Sequence, residues 1–233
     1  MAGRITHKWD GTILTITSDS GTSSADLKGD KGDTGIRGAQ GVAGSGGGGD
    51  DTARYLISNR AALTAVTIPD DISKIDAHAF ANCTALALAT IPANITQIGT
   101  YAFYGCEKIA PASLPANITA IGDYAFYGCK ALAITELPQG LTEIAGASFA
   151  RCTGLTAVTI PANVQYIWAS AFSMCTNLTS VIFKGTPEEI AENAFSTCTK
   201  LTSIKVPWAA GTVAGADSKW GATKATITYN YKE

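Results

Sequence analysis

Apolar residues recur along most of this chain with a period of 23. In the stretch 146–168 they fall at Phe149, Cys152, Leu155, Val158, Ile160, Val164 and Ile167, with small or polar residues between them. Leu155, Val158 and Ile160 predict a short strand, stopped at Pro161 because proline cannot donate to a continuing ladder. Val164 with Ile167 supplies a second apolar edge, and Phe149 with Cys152 a third. A unit with three short apolar edges cannot bury them alone. Stacked copies bury all of them in one column, at ~25 cal/mol per Å2 of apolar surface, with parallel strands about 4.8 Å apart.

The register is legible from two residue ladders, Phe80, Phe103, Phe126, Phe149, Phe172, Phe195 and Cys83, Cys106, Cys129, Cys152, Cys175, Cys198. Full copies begin at 77, 100, 123, 146 and 169, and a last one starts at Glu192. A truncated copy precedes them (Leu63, Val66, Ile68, Pro69), with Arg60 where cysteine would stand. The fold class this predicts is a repeat solenoid, because each copy is one supersecondary unit that must stack on its neighbours. Past Val206 the period breaks. Trp208, Trp220 and the alternating 225–231 stretch suit a cap over the exposed end.

Ile121-Gly122-Asp123-Tyr124-Ala125-Phe126-Tyr127-Gly128-Cys129, then Lys130-Ala131-Leu132 and Leu137-Pro138, resembles the BspA-like leucine-rich repeat family. The resemblance covers roughly residues 54–215. It implies a right-handed, curved solenoid of the α/β horseshoe class, β-rich, with a parallel sheet on its concave side and short irregular or helical turns. It also implies surface display and binding rather than catalysis.

The segment before the repeats has a different pattern. Ile13 to Thr17 reads as a strand and Ser18 to Ala25 as a small, polar turn or loop. Glycines at 29, 32, 35, 38, 41 and 44 then make a Gly-X-Y tract of six triplets, the spacing of a collagen triple helix. It holds no proline, so its chains are poorly preorganised, and six triplets need flanking parts to trimerise. The two readings are a flexible linker in a monomer and a homotrimer through residues 27–44. The expected organisation is an N-terminal β-rich attachment segment (1–26), a collagen-like stalk (27–44), a Gly-rich linker (45–53), the repeats (54–206) and a cap (207–233). Trp9-Asp10-Gly11-Thr12-Ile13-Leu14-Thr15-Ile16-Thr17-Ser18, followed by Ala25-Asp26-Leu27-Lys28-Gly29-Asp30, resembles the start of tail proteins of phages of gut bacteria.

Composition narrows the function classes. With 46% hydrophobic and 15% charged residues the chain fits a folded protein, and a net charge of -2 gives no basis for binding nucleic acid or an anionic membrane. No apolar run approaches the ~18 residues needed to span a bilayer. The first residues lack the apolar core of a secretory signal, so a virion tail is the expected location, with a bacterial surface or non-classical secretion as the alternative.

Candidate chemistry is thin. An even cysteine count invites disulfides, yet one cysteine per copy fits buried free thiols that pack as small hydrophobes. His7 and His78 lie in different regions and no Cys-x-x-Cys pair exists, so no metal site is expected. His78 occupies a variable, solvated repeat position. No Gly-x-Ser-x-Gly elbow or phosphate loop occurs, so neither catalytic residues nor a cofactor are expected. The Asn-x-Ser/Thr sequons at Asn82, Asn94, Asn117 and Asn177 follow from the repeat consensus.

The variable positions hold the remaining signal. If Val158 and Ile160 point inward, the column of Ala157 points outward, and Leu88, Pro111 and Ile134 would make three exposed apolar rungs in it. Tyr101, Tyr104, Tyr124 and Tyr127 form an aromatic cluster on adjacent copies, with Trp168 two copies on. These eight are the candidate partner-binding residues, and the expected partner is a bacterial or host cell-surface protein or glycan. Two roles compete, a phage tail-fibre component and a bacterial surface adhesin.

Overall fold

The computed structural model describes residues 6–9, 13–18, 21–26, 52–53, 61, 64–66, 68, 72–88 and 90–232. The Gly-X-Y tract and the linker up to residue 51 lie outside the described residues. Near the N-terminus, β1 (Thr6–Trp9), β2 (Ile13–Ser18) and β3 (Gly21–Asp26) form an antiparallel meander with Leu14 in backbone register with Trp9 and Ala25. The expected loop at 18–25 is therefore mostly strand. Pairing with β2 recruits a segment of low intrinsic β-propensity, as neighbouring strands commonly do.

From residue 72 onward the chain is a solenoid of stacked coils with almost no helix; one 3-10 turn occurs at Lys219–Gly221. Two strand ladders run along it. The first consists of two-residue strands, one per coil. β4 (Thr52–Ala53), β5 (Lys74–Ile75), β6 (Gln97–Ile98) and β7 (Ala120–Ile121) form one parallel sheet. A separate one joins β8 (Glu143–Ile144), β10 (Tyr166–Ile167) and β12 (Glu189–Ile190). β7 and β8 do not pair, so this ladder has a seam in the middle of the solenoid. The sequence pattern gave only an apolar edge here, because two-residue strands have no room for alternation.

The second ladder is where a strand was expected, but only in the C-terminal half. β9 (Ala157–Ile160), β11 (Ser180–Phe183), β13 (Ser203–Lys205) and β14 (Thr226–Thr228) pair in parallel. Val158, Ile160, Val181, Phe183 and Ile204 point inward, and alternate residues point out. The preceding coil contributes only an isolated bridge from Glu136 to Thr159.

The remaining side of each coil is a turn whose amides donate to the next coil. Phe103 N–H donates to Ala125 O at 2.8 Å, and Phe126 N–H to Ser148 O at 2.8 Å. Beneath this backbone ladder the phenylalanines stack at centroid spacings of 5.3–5.5 Å, all buried. At the end, Phe195 N–H finds Trp220 O at 2.9 Å where another coil would stand. Trp208 and Trp220 are both buried against Phe183, and β14 covers the edge of β13. The C-terminal segment therefore acts as a cap, giving the last coil hydrogen-bond and apolar partners.

Candidate binding surfaces

Five successive coil turns, from His78 to Met174, each hold two residues with left-handed backbone, and the last turn holds one, Thr197. The first of these columns contains His78, Tyr101, Tyr124, Ala147 and Ser170, with φ between 50° and 60°. This conformation directs the aromatic side chains outward from the turn. His78 stacks on Tyr101 and Tyr101 on Tyr124, each at 4.9 Å. Three residues further along the turn, Tyr104 stacks on Tyr127 at 4.9 Å, and the two rows meet in tilted contacts of 5.5 and 5.7 Å. Arg151 lies 5.7 Å from the centre of the Tyr127 ring. The four expected tyrosines are thus brought together, with His78 and Arg151 at the two ends. Sequence reading missed those ends, although the repeat spacing carries the signal: His78 shares the column of Tyr101, and Arg151 follows the position equivalent to Tyr127.

The stacking limits what this cluster can do. Within each row the facing sides of the rings are stacked on one another, so between the row ends a partner meets ring edges and hydroxyls spaced at the coil repeat. Such an array suits hydrogen bonding better than face-on stacking with a sugar or base.

Leu88, Pro111 and Ile134 are buried, which overturns their expected exposure. In their coils the inward residues are Leu88 and Ile91, Pro111 and Leu114, and Ile134 and Leu137. These pairs are three residues apart, against two in the later coils. The three apolar residues therefore belong to the core, and residues such as Thr90, Ser113, Thr135 and Glu136 face solvent instead.

Trp168 is 42% exposed and directly follows β10 of the first ladder, apart from the tyrosine turns. Its indole N–H donates to Glu143 Oε2 at 2.7 Å and its ring lies 15° from parallel with Tyr166, at 5.7 Å. Tyr166 Oη donates to Glu188 Oε2 at 2.5 Å. Glu143, Tyr166 and Glu189 are cross-strand neighbours on β8, β10 and β12. Sequence reading named Trp168 alone here; that row was visible as a single repeat column.

All six cysteines are free and buried. The Sγ of Cys106, Cys129, Cys152, Cys175 and Cys198 each donates to the carbonyl of a phenylalanine in the preceding coil, at 2.9–3.2 Å. Burial pushes the Cys129 and Cys152 thiols well above their ordinary pKa, so they stay protonated and poorly nucleophilic. Among the described residues no group of three or more His, Cys, Asp or Glu is placed to hold a metal ion. His78 is exposed and stacked on Tyr101.

A stacked parallel β-solenoid of this repeat defines a leucine-rich repeat protein. The chain belongs to the BspA type leucine rich repeat family, matching it in six copies over residues 52–175 and 132–214. It is similar to the leucine-rich repeat protein of T. pallidum, at 30% identity over 66% of this chain and 75% of that one, with a TM-score of 0.56. It is also similar to a leucine-rich repeat protein from Bacteroides ovatus, at 29% identity, a TM-score of 0.54 and 61% coverage of this chain. This chain spans only 42% of that protein. The pneumococcal vaccine antigen PcpA shares the fold at 16% identity, over 78% of this chain and 42% of its own, with a TM-score of 0.55. No curated protein matches the chain in sequence. The family and its fold are generally non-enzymatic, and the chain is a repeat protein of the binding or structural kind.

Proposed function

We propose that this chain is a non-enzymatic receptor-binding component of a phage or prophage tail fibre. The observation that carries the reading is the order of parts: an N-terminal β meander, six Gly-X-Y triplets, and then a leucine-rich repeat solenoid with an outward aromatic array. In this reading residues 27–44 join three chains, because only glycine fits the axis of a triple helix. The solenoid then meets a protein or glycan of the cell surface. Three copies on one stalk raise the effective concentration of each site, so weak single contacts suffice.

Light scattering on the full chain tests the stalk: three chains of 24.0 kDa, about 72 kDa, are expected, and a monomer overturns the trimeric fibre. Binding of the labelled chain to bacterial cells tests recognition. The second reading is a bacterial surface adhesin, favoured by the likeness to the T. pallidum and Bacteroides ovatus proteins. Tail-assembly genes beside the coding sequence would support the fibre; their absence, with cell-wall or export genes there instead, would support the adhesin.

A further inference from the structure

The exposed side of β8, β10 and β12 differs in chemistry from the tyrosine turns. Glu143, Tyr166 and Glu189 stand in a cross-strand row, with Trp168 two positions beyond Tyr166 on the same side. Two parallel strand spacings separate Glu143 from Glu189, roughly 9.6 Å, so carboxylates flank the aromatic pair on both sides. The two donors in this group are already used: Trp168 Nε1 binds Glu143 and Tyr166 Oη binds Glu188. What remains free is acceptor capacity and negative charge.

Among the described residues no lysine or arginine pairs with Glu143, Glu188 or Glu189; the ion pairs there are Lys74–Asp76 and Lys130–Glu107. The Tyr166 phenol is held above its ordinary pKa, first by its bond to Glu188 and then by the charges of Glu188 and Glu189, as expected beside uncompensated carboxylates. An anionic glycan would be repelled here, and a neutral sugar that donates its hydroxyls to the carboxylates would leave their charge uncompensated. A cation that brings donors fits both needs. A guanidinium can lie over an indole face while its N–H groups reach carboxylates at the ring edge.

Room for the rest of such a ligand begins at Glu143, the hydrogen-bond partner of Trp168. A shallow groove of about 290 Å3 starts at Glu143 and Ala145, crosses the seam between β7 and β8, and runs over Gly122, Gly99 and Gln97 to Lys74. Its length matches an extended chain better than a compact small molecule, since it spans four coils, about 14 Å at three strand spacings.

We infer that the Trp168 face, with Glu143, Glu188 and Glu189, docks an extended arginine- or lysine-bearing polypeptide segment of the recognised surface. The inference rests on the recognition role proposed above and adds the face and the ligand class. It is tested with the full chain and a fluorescent decapeptide of alternating arginine and serine, read by anisotropy in low and physiological salt. The peptide binds, and a glutamate–serine peptide does not. Trp168→Ala, which leaves net charge unchanged, weakens binding about three- to fivefold, and Glu189→Gln weakens it by a similar factor. Tyr104→Ala leaves it unchanged.

Equal binding by Trp168→Ala and the parent chain would reduce the effect to general electrostatics and overturn the inference. So would Trp168-dependent binding of dextran or a bacterial polysaccharide in place of the peptide. Cell binding keeps the two ideas apart. If cells bind the parent chain and Trp168→Ala alike, with no competition from the arginine peptide, recognition stands and this face falls. If cells do not bind the parent chain at all, the recognition role itself falls.

Discussion

The two halves of the solenoid are built from one repeat, yet they present different surfaces. In coils up to residue 138 the second inward pair is spaced by three (Leu88 and Ile91, Pro111 and Leu114, Ile134 and Leu137), and among the described residues no strand forms there. In later coils the spacing is two (Val158 and Ile160, Val181 and Phe183), and β9 and β11 form. A period of two is the strand period, so moving one apolar residue by one position switches the local backbone and its outward residues.

The halves diverge at two further columns. After the first-ladder isoleucine, the early coils carry Gly99 and Gly122, where a Cβ would come within 2.5–2.6 Å of the backbone nitrogen of a neighbouring coil. The later coils carry Ala145, Trp168 and Ala191 at that position, beyond the unpaired seam. After the seam this position accepts a side chain, and Trp168 occupies it. At the second left-handed position, the early coils use Gly105 and Gly128 after Asn82, and the later ones Arg151, Met174 and Thr197.

The largest effect is expected where the halves are alike. Phe126 is fully buried between Phe103 and Phe149, at 5.3 and 5.5 Å. Phe126→Ala should cost about 3–5 kcal/mol in denaturant melts, and a cost under 1 kcal/mol would mean that the stack is not a common core. The register difference predicts unequal costs within one repeat column. Ile134→Ser should destabilise by about 3–4 kcal/mol, because Ile134 is buried, while Ala157→Ser, half-exposed and followed by Ser180 and Ser203, should change stability by under about 0.5 kcal/mol. Similar costs for the two would erase the distinction.

Smaller effects sharpen the boundary between the halves. Ser148 lies in the coil where the registers change, and its buried Oγ has no hydrogen-bond partner. The other copies carry Ala79, Ala102, Ala125, Ala171 and Ala194 there. Ser148→Ala should therefore raise stability by about 1–2 kcal/mol, read as a higher unfolding midpoint; a loss would point to a polar role for the hydroxyl. Met174 sits at φ 61°, a conformation easier for glycine. Met174→Gly should gain about 0.5–1 kcal/mol, and Gly128→Ala should lose a similar amount.

The solenoid was legible because its cause is a repeated pattern. Phe126, Cys129, Leu132 and Ile121 recur at fixed spacing, and only stacking buries them all. The phenylalanine stack and the free thiols follow from that pattern, and the tryptophan cap from its break after Val206. The outward surface was less legible. Aligned by column with Ala157, Leu88, Pro111 and Ile134 read as exposed, but such alignment assumes one backbone for every copy. The neighbouring column held the correction, since it reads Ala112 and Thr135 where the later coils read Val158, Val181 and Ile204. The tyrosine cluster could be located from spacing alone. Its stacked geometry, and the carboxylates that fix Trp168 and Tyr166, depend on contacts between coils that no single copy displays.

The account depends most on the register change, since it decides which residues each half shows to a partner. Single cysteines at 134, 135, 157 and 158 test it directly, because the native thiols are buried and provide a slow background. In the folded chain, Thr135→Cys and Ala157→Cys should react with a maleimide dye within minutes, while Ile134→Cys and Val158→Cys react only as slowly as the native thiols. Rapid labelling at 134 with protection at 135 would contradict it, and would place both halves in one register.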